Sequence, residues 1–169
     1  MKKIYVLSGP VQSGKTTQLF SITHKINCDG ILQPVIDGKR FYYHISSRKL
    51  EPLSYNNHNE DTCIRIGMFS FSGNTFAWAK QIIKTGMEKK PEWFIIDEFG
   101  RLELEDKGLQ PEFSEIINNR ENYPDTNLLI VIRDYLFDSF MSYHNLSDSD
   151  IEISRNVYSF FDGIKPDNL

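Results

Sequence analysis

Short apolar runs alternate with segments of helical periodicity along this chain. Two of the runs, Trp93–Ile96 and Leu128–Ile132, are continuous, as is typical of strands buried on both faces of a parallel sheet. Ile4–Leu7 is a similar run near the start, and the alternating residues Ile151 and Ile153 form a weaker one near the end. The order of these segments predicts an α/β fold, with a mostly parallel sheet and helices on both of its faces.

The predicted helices are defined by apolar residues three or four positions apart. The first runs from Lys15 to about Asn27, and the second passes through Phe76 and Met87 and ends near Pro91. Pro111 suits the first position of a further helix, because its missing N–H has no partner there in any case. That helix carries the apolar stripe Phe113, Ile116 and Ile117, and a short helix follows over Leu136–Met141.

Residues from Gly30 to about Phe71 differ in character from the rest. Val35-Ile36 and Phe41–Tyr43 flank Asp37-Gly38, a dipeptide that tolerates positive φ and favours a hairpin turn. A second turn at 46–49, a short strand at 53–55, a polar loop at 56–61 and an alternating strand at 63–66 are expected next. About forty residues bury too little surface to fold alone. We therefore expect an antiparallel β-insertion at about 30–71 within a single domain spanning 1–169.

Composition excludes several classes of function. The 169 residues carry a net charge of −4, whereas nucleic-acid binding generally needs a basic excess. No apolar run approaches the length of a membrane span. The two cysteines, Cys28 and Cys63, are far apart and favour a reduced, cytoplasmic setting. The aromatic run Phe41–His44 could stack a base, but packing within the sheet is the favoured interpretation.

The residues after the first strand spell G-x-x-x-x-G-K-[ST], the phosphate-binding P-loop. A strand before the motif and a helix after it are the context that the motif needs. Its backbone N–H groups and the helix N-terminus attract phosphate. Lys15 can reach the β- and γ-phosphates and act in binding and catalysis, and the Thr16 hydroxyl can bind Mg²⁺. The predicted nucleotide-binding residues of the motif are Gly9, Pro10, Val11, Gln12, Ser13, Gly14, Lys15 and Thr16.

Two acids, Asp97 and Glu98, follow the apolar run Trp93–Ile96 directly. A carboxylate at the carboxyl end of a central strand faces the crevice where ligands bind in α/β sheets. Asp97 can thus hold Mg²⁺ opposite Thr16, and Glu98 can accept a proton from a water in line with the γ-phosphate. The alternative is that both acids only solvate the end of a strand.

Arg133 follows the strand Leu128–Ile132 and is expected at the same edge of the sheet. It could stabilise charge on the γ-phosphoryl group, as arginines do in other phosphoryl-transfer enzymes. A salt bridge to Asp134 or another local acid is the alternative, and Arg101 is a second candidate for the catalytic role.

The segment Asp97–Leu104, Asp-Glu-Phe-Gly-Arg-Leu-Glu-Leu, resembles the acidic signature of the small P-loop nucleoside-triphosphatases first described from a hyperthermophile. These enzymes are similar to the cancer-related nucleoside-triphosphatase of animals. The resemblance covers nearly the whole chain and extends to the N-terminal P-loop. A Gly-led hairpin segment after the first helix is a looser match; Tyr42-Tyr43 stands where the family often has Gly-Phe, and Arg101 where Lys or Pro is commoner.

The resemblance implies a RecA-like core with an additional strand between the P-loop strand and the Asp97 strand. It implies Mg²⁺-dependent hydrolysis of nucleoside triphosphates that is slow and has little base preference. It carries over Thr17 as a further phosphate-binding residue, Asp97 as the metal-side acid and Glu98 as the base. Glu103 also matches the signature, with a catalytic role and a role at a helix N-terminus both open.

Two other functions remain as alternatives. One is a P-loop kinase that transfers the γ-phosphoryl group to a small acceptor; such enzymes usually have an arginine-rich lid, and no compact arginine cluster occurs here. The other is a nucleotide-sensing module that binds a triphosphate with little turnover. No membrane association and no clear nucleic-acid binding are expected, and the sequence identifies no protein partner.

Overall fold

The computed structural model describes residues 3–55, 62–161 and 163–164, and the predicted polar loop at 56–61 lies outside them. The strands within these ranges are β1 Ile4–Gly9, β2 Cys28–Leu32, β3 Val35–Ile36, β4 Lys39–His44, β5 Leu50–Pro52, β6 Cys63–Ile66, β7 Phe69–Ser72, β8 Trp93–Phe99, β9 Asn127–Arg133 and β10 Ile151–Ser154. The helices are α1 Lys15–Thr23, α2 Gly73–Gly86, α3 Arg101–Leu104, α4 Glu112–Asn118 and α5 Phe137–Tyr143. Short 3₁₀ turns cover Met87–Lys89, Arg120–Asn122, Asp134–Leu136, Asp148–Asp150 and Val157–Phe160.

The main sheet has the strand order β10-β1-β9-β8-β2-β4-β3, with β5 beside β4. Strands β10, β1, β9, β8 and β2 are parallel, and β4 is antiparallel to β2. Strand β9 therefore lies between the P-loop strand β1 and the strand β8 that carries Asp97. The predicted mostly parallel sheet, with the additional strand at this place, is confirmed.

Alternate side chains of the central strands enter two separate cores. Ile4, Val6 and Ile130 pack on one face with residues of α2, α4 and α5. Leu7 and Leu129 pack on the other face with α1 and with the 3₁₀ turn at 157–160. Because apolar side chains on both faces must be covered, the helices lie on both sides of the sheet as expected. None of the helices in the described ranges has the length and apolar character needed to cross a membrane.

Strand β2 was not anticipated, and it corrects the expected start of the antiparallel insertion. Gly30 and Ile31 pair in parallel with Ile95 and Ile96 of β8, so they belong to the core of the sheet. Gly30 has φ +123°, and a Cβ there would lie 2.0 Å from the Ile95 carbonyl oxygen. The strands approach this closely only because residue 30 is glycine. Helix α1 correspondingly ends at Thr23, short of the expected Asn27.

The antiparallel part of the chain follows β2. The predicted hairpin at Asp37-Gly38 is confirmed, with both turn residues at positive φ between β3 and β4. The strand expected at 53–55 lies instead at Leu50–Pro52, beside β4. Strands β6 and β7 form a separate two-stranded sheet. This β6–β7 hairpin leads directly into α2.

A candidate nucleotide site at the carboxyl edge of the sheet

The P-loop connects the end of β1 at Gly9 to the start of α1 at Lys15. Gly14 precedes the helix in the left-handed region, with φ 82°, which favours glycine. The residues from Val11 to Thr17 line a cavity of about 320 Å³ at the carboxyl edge of the sheet. The structure thus places this predicted segment around a space at a helix N-terminus, where the backbone suits an anion.

The Lys15 ammonium group lies buried inside its own loop. It donates hydrogen bonds to the carbonyl oxygens of Gly9 at 3.0 Å and Pro10 at 2.7 Å, and to Ser13 Oγ at 3.1 Å. Burial lowers the pKa of Lys15, while the nearby carboxylates of Glu98 and Asp97 act in the opposite direction. Gly9 and Pro10 therefore contact the lysine and do not line the cavity.

Thr16 and Asp97 meet across the cavity. The Thr16 hydroxyl donates a hydrogen bond of 2.6 Å to Asp97 Oδ2, and the Gln33 N–H donates one of 3.1 Å to the same oxygen. Asp97 is only 1% exposed. Burial, followed by the charge of Glu98, raises the pKa of Asp97 to about 7. The two predicted metal-binding side chains are thus adjacent, and the Asp97 carboxylate is buried beside a second acid, Glu98.

Glu98 and Arg133 form an ion pair beside this cavity. Arg133 Nη2 lies 2.7 Å from Glu98 Oε1, and Arg133 Nη1 donates a hydrogen bond of 3.3 Å to the Tyr135 hydroxyl. Asp97 pairs with Val131 but Phe99 pairs with Ile132, so Glu98 is an extra residue in the ladder. Bulges of this kind redirect a side chain next to a functional site. The salt-bridge partner of Arg133 is Glu98, not the adjacent Asp134.

Glu103 and Arg101 lie farther from the loop. Glu103 is 3% exposed, and its carboxylate accepts hydrogen bonds from the Gly100 N–H at 2.9 Å and the Leu109 N–H at 3.0 Å. This geometry is that of a residue capping the short helix α3. Burial nevertheless raises the pKa of Glu103 to about 7. Arg101 lies over the Tyr135 ring and does not line the cavity of the P-loop.

Comparison with known proteins identifies the family. The model of the NTPase family matches residues 4–144, which is most of the chain. The chain belongs to this family. It is thus a P-loop nucleotide-binding, NTPase-like protein, as the acidic signature and the P-loop predicted. A search of the curated proteins found no significant match.

A solved structure shows the same fold for this NTPase. The chain is similar to THEP1 from the hyperthermophile Aquifex aeolicus with a TM-score of 0.63. The alignment covers 95% of this chain and 93% of that chain at 15% sequence identity. At this identity the likeness establishes the α/β fold of the NTPase and its parallel sheet.

Two residues of the candidate site were missed by sequence reasoning. Gln33 follows β2 directly and bonds to Asp97 through its backbone, and Arg40 on β4 lines the same cavity. The signal was present for Gln33, because it stands at the carboxyl end of a strand adjacent to β8. Gln33 was missed because the sequence of β2, Cys-Asp-Gly-Ile-Leu, contains the Asp-Gly pair that is typical of a turn. For Arg40 the sequence holds no such signal, since only the folding back of β4 brings it here.

Proposed function

We propose that this protein hydrolyses nucleoside triphosphates to diphosphate and phosphate in a Mg²⁺-dependent reaction that is slow and accepts several bases. The observation that carries the proposal is the Glu98–Arg133 pair beside the P-loop cavity. A carboxylate and a guanidinium there are the two groups that an attack on the γ-phosphate needs. Membership of the NTPase family supports the same class of reaction.

In the proposed complex the triphosphate lies along the P-loop. The backbone N–H groups from Val11 to Gly14 bind the α- and β-phosphates, together with Thr17 at the start of α1. Lys15 exchanges its bonds to Gly9, Pro10 and Ser13 for the β- and γ-phosphate oxygens. Its present partners are neutral oxygens, so a phosphate offers a stronger, charge-assisted interaction.

The donor set suits Mg²⁺. Thr16 and Asp97 offer oxygen atoms, which Mg²⁺ prefers, and a site of one carboxylate and one hydroxyl completed by phosphate and water is common for this ion. The raised pKa of Asp97 reflects its burial and the neighbouring charge of Glu98, and a bound cation would offset both effects. A bound Mg²⁺ would supply charge neutralisation on the phosphate oxygens.

Glu98 is the proposed base. It accepts a proton from water as the water oxygen bonds to the γ-phosphorus and the bond to the β-phosphate oxygen breaks. Arg133 moves from Glu98 to the γ-phosphoryl oxygens and stabilises their charge. Because the ion pair must open before either group can act, the proposed rate is slow.

The remaining wall of the cavity supports broad base preference. Phe20, Pro34 and Val35 form an apolar part of this wall, and none of the three has a side chain that hydrogen-bonds a base. Two polar side chains of the wall, Arg40 and Gln33, contact each other at 3.5 Å. Apolar contacts discriminate weakly between ligands of similar shape.

A cytoplasmic location is part of the proposal and rests on Cys28 and Cys63, which are both free thiols.

The test is Mg²⁺-dependent phosphate release from each common nucleoside triphosphate by the parent and by Glu98→Gln. The substitution keeps size and shape but removes the base, so turnover should fall by ~10²–10⁴-fold while triphosphate binding persists. Lys15→Ala should instead weaken binding strongly, because the site loses its charge on the β- and γ-phosphates. Glu88→Gln is the matched control, since Glu88 is exposed and follows α2, ahead of the amino end of β8.

The outcomes separate the alternatives. Near-parental turnover by Glu98→Gln would show that another residue is the base. Tight triphosphate binding by the parent with no phosphate release would favour the nucleotide-sensing module over the enzyme.

A further inference from the structure

A second cavity, of about 720 Å³, opens on the far side of the Glu98–Arg133 pair. Its walls come from β4, from the β6–β7 hairpin and from α3. It shares Gln33, Arg40, Glu98 and Arg133 with the cavity of the P-loop, but no residue of the loop lines it. We refer to it as the γ-side chamber.

The orientation of a triphosphate on the P-loop directs its nucleobase away from the γ-side chamber. In a P-loop the backbone binds the α- and β-phosphates and the lysine reaches the β- and γ-phosphates. The γ-phosphate therefore points towards Glu98 and the chamber, while ribose and base leave from the opposite, α-phosphate end. The chamber is thus a separate space that faces the γ-phosphorus.

The chamber carries an excess of unpaired positive charge. Lys39, Arg40 and Arg101 line it, and none of them forms an ion pair with a carboxylate of the described residues. Arg40 contacts the amide oxygen of Gln33, at 3.5 Å, and Arg101 contacts the Tyr135 ring. Of the acids that line it, Glu98 is paired with Arg133 and Glu105 with Lys107, and the carboxylate of the buried Glu103 accepts hydrogen bonds from two backbone N–H groups. This balance favours an anionic group in the ligand.

Exposed apolar side chains border the same space. Met68 is 90% exposed, Phe69 62% and Tyr135 52%, and all three line the chamber. Deeper in the wall, the rings of Phe71 and Phe76 meet edge to face at 6.2 Å. Large apolar residues left exposed around a concavity are typical of a ligand site, and aromatic walls suit a flat ring.

We propose that the γ-side chamber binds a second substrate, a small molecule with an anionic group, a flat aromatic ring and a hydroxyl group that accepts the γ-phosphoryl group. The proposal rests on the proposed function, since it uses the same Glu98 and Arg133. The hydroxyl oxygen bonds to the γ-phosphorus, the bond to the bridging β-phosphate oxygen breaks, and Glu98 takes the hydroxyl proton. The nucleoside diphosphate leaves with the electron pair. Water is then the slower acceptor at the same position.

A nucleoside 3′-monophosphate meets all three requirements, because it has a phosphate, a base and a free 5′-hydroxyl. The experiment incubates the full chain with Mg²⁺, γ-labelled ATP and each of the four common ribonucleoside 3′-monophosphates. Labelled inorganic phosphate and labelled 3′,5′-bisphosphate are measured separately. Binding of each probe is measured by calorimetry on protein saturated with a non-hydrolysable ATP analogue.

We expect labelled bisphosphate from at least one probe. Lys39→Gln and Phe69→Ala should each weaken probe binding by about tenfold, because each removes one contact of the chamber. Neither residue touches the cavity of the P-loop, so phosphate release without a probe should stay at the parental rate. The matched controls are Lys84→Gln, an exposed lysine of α2, and Ile153→Ala, an exposed apolar residue of β10.

Absence of both probe binding and bisphosphate, while phosphate release continues, would overturn this inference and leave the hydrolase standing. Probe binding that depends on Lys39 and Phe69 but yields no bisphosphate would refute the acceptor role. Bound triphosphate with neither phosphate release nor transfer would instead overturn the proposed function.

Discussion

At the residue scale, each polar or charged group of the site bonds to another group of the protein. Lys15 bonds to its own loop, Thr16 to Asp97, and Arg133 to Glu98. A buried polar or charged group without a partner is costly, so these pairings stabilise the site. Ligand binding must exchange each internal partner for a phosphate, a metal or a water. The residues proposed to bind and act are therefore also the residues whose contacts stabilise the site.

Arg133→Ala should lower turnover more than triphosphate affinity. The proposed role is on charge that develops in the transition state, and loss of such a group typically costs about 10²–10³-fold in kcat. The measurement is kcat and KM for ATP, with the exposed Arg155→Ala as control. Unchanged turnover would show that Arg133 serves only as the ion-pair partner of Glu98. A rise in KM alone would show that it acts in substrate binding.

At the scale of elements, the segment after β8 depends on tertiary contacts. Helix α3 has four residues, far too few to be stable alone. The Glu103 carboxylate joins its start, at Gly100, to Leu109 ahead of α4, and the Glu103 carbonyl oxygen accepts from Gln110 Nε2 at 3.2 Å. The buried Glu103 side chain thus fixes the course of the segment that follows Glu98. That segment forms one wall of the γ-side chamber.

Glu103→Gln should therefore reduce stability more than catalysis. An amide can accept with one oxygen only, so one buried N–H loses its partner, at a cost of ~1–3 kcal/mol in the free energy of unfolding. Urea unfolding measures this loss, and turnover should stay within about tenfold of the parent. A fall of 10²-fold or more in turnover, with stability unchanged, would make Glu103 the base instead.

Sequence patterns identified elements whose apolar residues are continuous or strictly periodic, such as β8, β9 and α2. They failed at β2, where Asp29 and Gly30 interrupt the apolar pattern. Asp29 is tolerated in the core because His44 at 3.0 Å and Lys89 at 3.1 Å pair with its carboxylate. These partners lie 15 and 60 residues away, so no pattern of neighbouring residues could indicate them.

At the scale of the whole molecule, sheet order assembles the site. Gly9 pairs with Arg133 across β1 and β9, and β8 lies on the other side of β9. The carboxyl ends of parallel strands meet at one edge, so the P-loop, the acids and the arginine converge there. Beneath that edge, the face covered by α4 and α5 holds a cluster of rings, including His144 within 5.8 Å of Phe99, Phe113 and Phe140.

His144 should make the whole fold sensitive to mild acid. Burial lowers the pKa of His144 to about 4, below its usual 6.5, so the unfolded chain binds more protons between these values. Stability linked to this residue is therefore complete above pH 6.5 and is lost as the pH falls towards 4. Allowing for partial solvent exposure of the ring, the loss is roughly 1–2 kcal/mol.

The check is the free energy of unfolding of the parent and of His144→Phe from pH 7 to pH 4. The difference between the two proteins should shift in favour of the variant as the pH falls. A difference that does not vary with pH would show that the histidine titrates equally in the folded and unfolded chains.

The sequence by itself determined the α/β class, the P-loop and the acidic pair, because each depends on residues close together in the chain. Local backbone chemistry suffices for a glycine-rich anion site before a helix, and a continuous apolar run suffices for a buried strand. The tertiary structure alone decided that Arg133 pairs with Glu98, that Gln33 and Arg40 line the same cavity, and that a second chamber adjoins this pair. These features depend on strand order and on the folding back of β4 and the β6–β7 hairpin, which bring together side chains that no local pattern relates.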